Sequence, residues 1–176
     1  MSQLLALQNR LKVRARADRL THHQRSIYDA VVAEWRYPNR LNVYGPAGAG
    51  KTFLGWSLAY EHDAQFIAGP ELLAGLDLST LTQPLIVDNI VVDAYALRHL
   101  LATLDLAQIR TAVLLSRSPN PDLLPGLELP VPTTADVAIV RRNLGDIEHY
   151  AVTITENANL WNVIHSTLSG GTASSP

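Results

Sequence analysis

Gly45-Pro46-Ala47-Gly48-Ala49-Gly50-Lys51-Thr52 spells G-x-x-x-x-G-K-T, and it stands between two apolar runs, residues 41–44 and 53–60. A strand that feeds a glycine-rich loop opening into a helix is the arrangement that wraps a polyphosphate. Phosphate binding dictates the residue types. Backbone N–H groups must approach phosphate oxygens closely, and the missing side chains of Gly45, Gly48 and Gly50 permit it. Pro46, Ala47 and Ala49 complete the loop. Lys51 is expected to reach the β- and γ-phosphates and Thr52 to ligate Mg2+. The phosphates then rest on the N-terminus of the helix beginning near Lys51, where unpaired N–H groups and the helix dipole favour negative charge.

Working upstream, residues 4–20 favour helix, and Thr21-His22-His23-Gln24 matches a capping box in which Gln24 answers Thr21. The helix it opens should run to about residue 35, because Ile27, Ala30, Val31 and Trp35 recur at helical spacing. Tyr37-Pro38-Asn39 ends it. Downstream, residues 64–68 read as a strand closed by Gly69-Pro70, and 71–74 as a short helical turn. Leu85-Ile86-Val87-Asp88 is an apolar run ending in a carboxylate, the look of a buried parallel strand that delivers Asp88 to its C-terminal edge. A helix over 93–104, a strand over 111–115 and a fifth strand over 127–131 follow. Thr133 or Thr134 is placed to cap a helix to about residue 143. Residues 157–168 carry a last apolar helical stripe, and the small, polar residues 169–176 predict a disordered tail. Strands alternating with helices predict an α/β fold, three layers deep, around a mostly parallel five-stranded sheet. Residues 1–168 are expected to form one domain: N-terminal helices over 1–38, a nucleotide-binding core over 39–131 and a short helical lid over 132–168.

Composition narrows the function classes. A chain of 176 residues suits one domain, and it has no cysteine, so disulfides, thiolate metal sites and cysteine nucleophiles are excluded. The formal net charge of -2 gives no general pull toward nucleic acid or membrane. No signal-peptide pattern is present at the start, and no run approaches the roughly 18 apolar residues of a membrane span, so a cytoplasmic protein without membrane contact is expected. Arg10, Lys12, Arg14, Arg16 and Arg19 crowd the N-terminal segment. They are a candidate grip on nucleic-acid phosphates, against which stands their spacing of two, which spreads charge around a helix as on a solvated face. The six histidines show no metal-ligand spacing. Trp56, one turn into the helix after the loop, is placed to report nucleotide binding by fluorescence.

The catalytic candidates lie at strand ends. Asp88 is the expected second acidic contact to Mg2+. Many ATPases follow this carboxylate with a Glu that deprotonates the attacking water. Here Asn89 stands in that place, and an amide holds a water but accepts no proton near neutral pH, so slow hydrolysis is expected. Asp93 reads as the cap of the next helix. Ser116 either touches the γ-phosphate or the lytic water, or starts the turn before Pro119.

These segments, residues 41–52, Leu85-Ile86-Val87-Asp88-Asn89 with its following helix, and Val113-Leu114-Leu115-Ser116-Arg117-Ser118-Pro119, resemble AAA+ ATPases, and within them the DnaA- and Hda-like clade of bacterial initiators and regulators. The resemblance covers residues 41–127. It implies an ATP-binding core with strand order 5-1-4-3-2, Asp88 on Mg2+ and Ser116 in the sensor 1 role, and it makes the start of the second helix, at His22 and His23, the side where adenine is received. A capping-box surface pair is the other account of those histidines. The chain also departs from the pattern. It passes from Leu129 to Pro130-Val131-Pro132 without the arginine finger that completes a neighbouring subunit's site, leaving Arg141 and Arg142 as candidate substitutes that a solvated helix face explains at least as well, and its lid is short. The expectation is therefore an ATP·Mg2+-binding switch or adaptor for a partner protein, with a homo-oligomer as a candidate state and with weak or partner-dependent hydrolysis. An active ATPase working on DNA, as helicase loaders do, is the alternative, and a small-molecule kinase the third.

Overall fold

A central parallel strand must carry apolar side chains to both of its faces. In the computed structural model, which describes residues 3–144, the run before the glycine loop forms β1 (Arg40–Tyr44), which departs from this: Leu41 and Val43 enter a core on one face, and the buried polar Asn42 faces the other. Its neighbours are β4 (Ala112–Ser116) on one side and β5 (Gly126–Glu128) on the other, with β3 (Leu85–Ile90) and β2 (Gln65–Ile67) beyond β4. Every pairing is parallel, and the order β2-β3-β4-β1-β5, read from the other edge, is the 5-1-4-3-2 that the resemblance implied.

Helices cover both faces. On one, α2 (His22–Glu34) and α3 (Lys51–His62) pack Val31, Leu54 and Leu58 against Val43, Ile86 and Leu115. On the other, α4 (Ala94–Leu106) packs Leu97, Leu100 and Leu104 against Leu85, Val87 and Leu114. Consecutive residues of β3 and β4 thus enter opposite cores, as strand geometry demands. Each fully buried leucine here contributes about 2 kcal/mol. The remaining helices are α1 (Gln3–Arg14) and α5 (Val137–Leu144).

Two expected elements differ. The helix over 4–20 stops at Arg14. Arg16 is extended (φ -136°, ψ 155°) and a 3-10 turn follows at Ala17–Arg19, which lets Ala15 and Leu20 enter the core while the Arg16 guanidinium stacks on the Tyr60 ring. The fifth strand sits earlier than 127–131. Its ladder to β1 is opened by the Pro125 carbonyl and closed by Leu129 N–H donating to Tyr44 O, and Pro130 has no N–H with which to continue. The turn expected at 71–74 is a 3-10 helix, Pro70–Gly75. The helix over 157–168 and the tail over 169–176 lie outside the described residues. Among the described residues no helix is long and apolar enough to cross a membrane.

Candidate phosphate-binding site

The glycine loop is pinned at both ends. Gly45 N–H donates to the Ser116 carbonyl at 3.3 Å, tying the loop's first residue to the end of β4. A Cβ at Gly45 would run into the Leu129 carbonyl, so a side chain there would displace the strand edge. At the other end Gly50 is the N-cap of α3 with φ 86°, in the left-handed region where only glycine is unstrained. Its carbonyl accepts from Leu54 N–H and from the Gln24 side-chain amide, both at 3.0 Å. No side chain caps α3, and the N–H groups of Gly48, Gly50, Lys51 and Thr52 meet no acceptor among the described residues. A helix start that leaves these donors open is a fitting cradle for phosphate oxygens.

Lys51, Thr52 and Asp88 come together beneath the loop. Lys51 Nζ folds back to donate to the carbonyls of Gly45 (2.6 Å) and Pro46 (2.9 Å). Burial holds its pKa below the usual lysine value, Asp88 works against that shift, and Arg117 adds to it. Thr52 Oγ1 donates to Asp88 Oδ2 at 2.6 Å, and Asn89 N–H donates to Oδ1 at 2.8 Å. Asp88 is 4% exposed, and burial raises its pKa despite the bonds from Thr52 and Asn89 and the charge of Lys51. A threonine hydroxyl beside a carboxylate is a hard-oxygen donor pair that suits Mg2+. Among the described residues no three His, Cys, Asp or Glu side chains converge, so an ion here would complete its shell with phosphate and water oxygens.

Asn89 and Ser116 line the same cavity of ≈ 760 Å³, but their polar groups are engaged elsewhere. Asn89 sits at φ 56°, where the pairing of β3 with β4 slips between Val87 and Ile90, and its amide donates to the Ala68 carbonyl at 2.9 Å. Asparagine tolerates this left-handed backbone better than glutamate. The buried Ser116 hydroxyl lies 2.7 Å from Asn42 Oδ1 and 2.8 Å from the Ser118 carbonyl, bonding the turn after β4. Asp93 caps α4, accepting from the N–H groups of Tyr95 (3.0 Å) and Ala96 (2.9 Å).

The capping box at α2 is present in full, with Gln24 N–H donating to Thr21 Oγ1 and Thr21 N–H to Gln24 Oε1. His22 N–H donates to Asp136 Oδ1 at 3.0 Å, and His23 Nδ1 lies 3.7 Å from Oδ2. Among the basic residues, Arg14 donates to the Asn143 carbonyl and Arg16 stacks on Tyr60, so the segment does not present a continuous free row. Arg142, considered as a substitute arginine finger, donates to the Asp18 carbonyl at 2.7 Å. The Arg141 side chain lies outside the described residues. Sequence reading missed the Gln24 link to Gly50, the Asp136 hub and the place of Arg117 on the cavity wall. Only Asp136 left a local trace, since Thr133 stands three positions before it at capping-box spacing.

The sequence matches no protein-family model and no curated protein. Among solved structures the fold is similar to one described as a DNA replication initiation factor, with a TM-score of 0.54 and 13% identity over 85% of this chain. This chain spans 61% of that one. At such low identity the likeness concerns the fold alone: a parallel five-stranded sheet with helices on both faces.

Proposed function

We propose that the protein binds ATP with Mg2+ and acts as a nucleotide-dependent switch or adaptor for a partner protein, with slow hydrolysis. The observation that carries this reading is the open N-terminus of α3 with Lys51 above it and the Thr52–Asp88 pair beside it. Lys51 has only loop carbonyls as partners and is free to exchange them for phosphate oxygens. Thr52 and Asp88 are the residues that would hold the ion, which when bound neutralises phosphate charge. Slow turnover is expected from the residue that follows Asp88. Asn89 accepts no proton near neutral pH, and its amide is held by Ala68.

The test is calorimetric titration of Mg·ATP, with tryptophan fluorescence as a second readout because Trp56 lines the cavity. Lys51→Ala should weaken binding by about 100-fold, the scale of a lost charge-assisted contact of about 3 kcal/mol. Unchanged affinity in that variant would sink the reading. Steady-state phosphate release should lie well below the ordinary enzymatic range, of order 1 per second and above. Likeness to a DNA replication initiation factor supports a second reading, an ATPase working on DNA. Turnover stimulated by duplex or single-stranded DNA would favour it over the switch.

A further inference from the structure

Arg117 stands on the wall of the phosphate cavity, yet neither the folded core nor the proposed Mg2+ contacts use it. The Ser116 carbonyl receives the N–H of Gly45, so the chain leaves β4 at Arg117 directly beside the start of the phosphate loop. Strand alternation sends Leu115 into the core shared with α3 and turns Ser116 to the opposite face, and Arg117 follows in the bend after the strand. There it lines the cavity with Lys51, Thr52 and Asp88.

One charge in this cavity has no partner among the described residues. Arg117 is exposed and has no hydrogen bond or ion pair to any described residue, whereas Arg40 pairs with Asp105 and Arg142 with the Asp18 carbonyl. Arg117 and Lys51 are the two cations on the cavity wall. Of the two carboxylates on the wall, Asp93 is committed to the amides that start α4 and Asp88 to Thr52 and Asn89. Two cations facing one space repel unless an anion enters between them, and a guanidinium matches phosphate oxygens in a fixed two-pronged geometry.

We infer that Arg117 binds the terminal phosphate of the nucleotide, so that this chain distinguishes triphosphate from diphosphate with a cation of its own. The inference rests on the nucleotide-binding reading. It gives the protein an arginine in the same chain as Lys51, without a neighbouring subunit, and it concerns selectivity, leaving Asn89 in the place of a catalytic base as before.

The experiment is calorimetric titration of the imido analogue of ATP, and separately of ADP, both with Mg2+, into the full chain and into Arg117→Ala and Arg117→Lys. Arg117→Ala should lose about 10- to 100-fold in affinity for the imido triphosphate, the usual range for a hydrogen bond to a charged group. For ADP the loss should stay below about threefold, the scale of a screened surface charge. Arg117→Lys should recover part of the triphosphate affinity, because it restores charge without the planar fork. The melting temperature without ligand should not move. Equal losses for the two nucleotides, or no loss, would overturn the inference. If the unaltered protein binds neither nucleotide, the nucleotide-binding reading falls and this inference with it. If it binds both and Arg117→Ala changes nothing, the inference alone falls.

Discussion

Asp88 and Asp136 are both buried carboxylates, 4% and 1% exposed, and their surroundings push them in opposite directions. For Asp136 burial favours the neutral acid, but the N–H groups of Thr133 (2.8 Å) and His22 (3.0 Å), the Thr133 hydroxyl (2.9 Å) and nearby His23 outweigh it, and the pKa falls below the usual carboxylate value. For Asp88 burial wins over two hydrogen bonds and Lys51, and the pKa rises. The difference separates a completed site from an open one. Asp136 has its partners and joins the start of α2 to the segment leading into α5. Asp88 carries a charge that burial disfavours, at the place where a cation would offset it.

The largest effect expected in the folded state alone is at Asp136. Asp136→Asn, which cannot serve the same set of donors, should destabilise the protein by about 2–3 kcal/mol near neutral pH, measured by urea unfolding. The sign with pH follows from the lowered pKa. The contribution of Asp136 is present above the ordinary aspartate pKa of about 3.9 and is lost as pH falls through its lower folded value. The deficit of the variant should therefore shrink in acid. A deficit that grows there would mean that Asp136 is not the satisfied partner described. A smaller effect is expected at Asp93, an exposed cap with no burial to overcome. Asp93→Ala should cost about 1 kcal/mol, read from the same urea midpoint, and a loss as large as that at Asp136 would break the contrast between a cap and a buried hub.

The open site was the more legible of the two regions. Its residues are contiguous or lie in the second half of a strand, and a single local requirement dictates each type, whether glycine at Gly45 and Gly50, the lysine at the helix start or the carboxylate closing an apolar run. The capping box at Thr21 and the cap at Asp93 were legible for the same reason. Asp136 was not, because its partner His22 is 114 residues away and the contact exists only once α2 and α5 are brought together. Asn89 was read for its chemistry alone, whereas its positive φ and its bond to the Ala68 carbonyl come from a slip in strand pairing that sequence does not display. The early stop of α1 has a similar origin, since burial of Ala15 and Leu20 overrides a helical preference that continues beyond Arg14.

The central claim is that Asp88 is held at a cost in the ligand-free protein and would be offset by the ion that accompanies the nucleotide. Its sign with pH is the reverse of that of Asp136. A raised folded pKa makes the charged carboxylate destabilising above that value, and the cost is relieved as pH falls through it. The direct measurement is the melting temperature of the unaltered protein and of Asp88→Asn at neutral pH, each with and without saturating Mg·ATP. Without ligand, Asp88→Asn should melt higher, by about 2–4 °C for each kcal/mol of relieved desolvation. With Mg·ATP the order should reverse, because only the unaltered protein gains the full stabilisation of the bound ion and nucleotide. Asp88→Asn melting lower in both states, or gaining as much from Mg·ATP as the unaltered protein does, would contradict the claim.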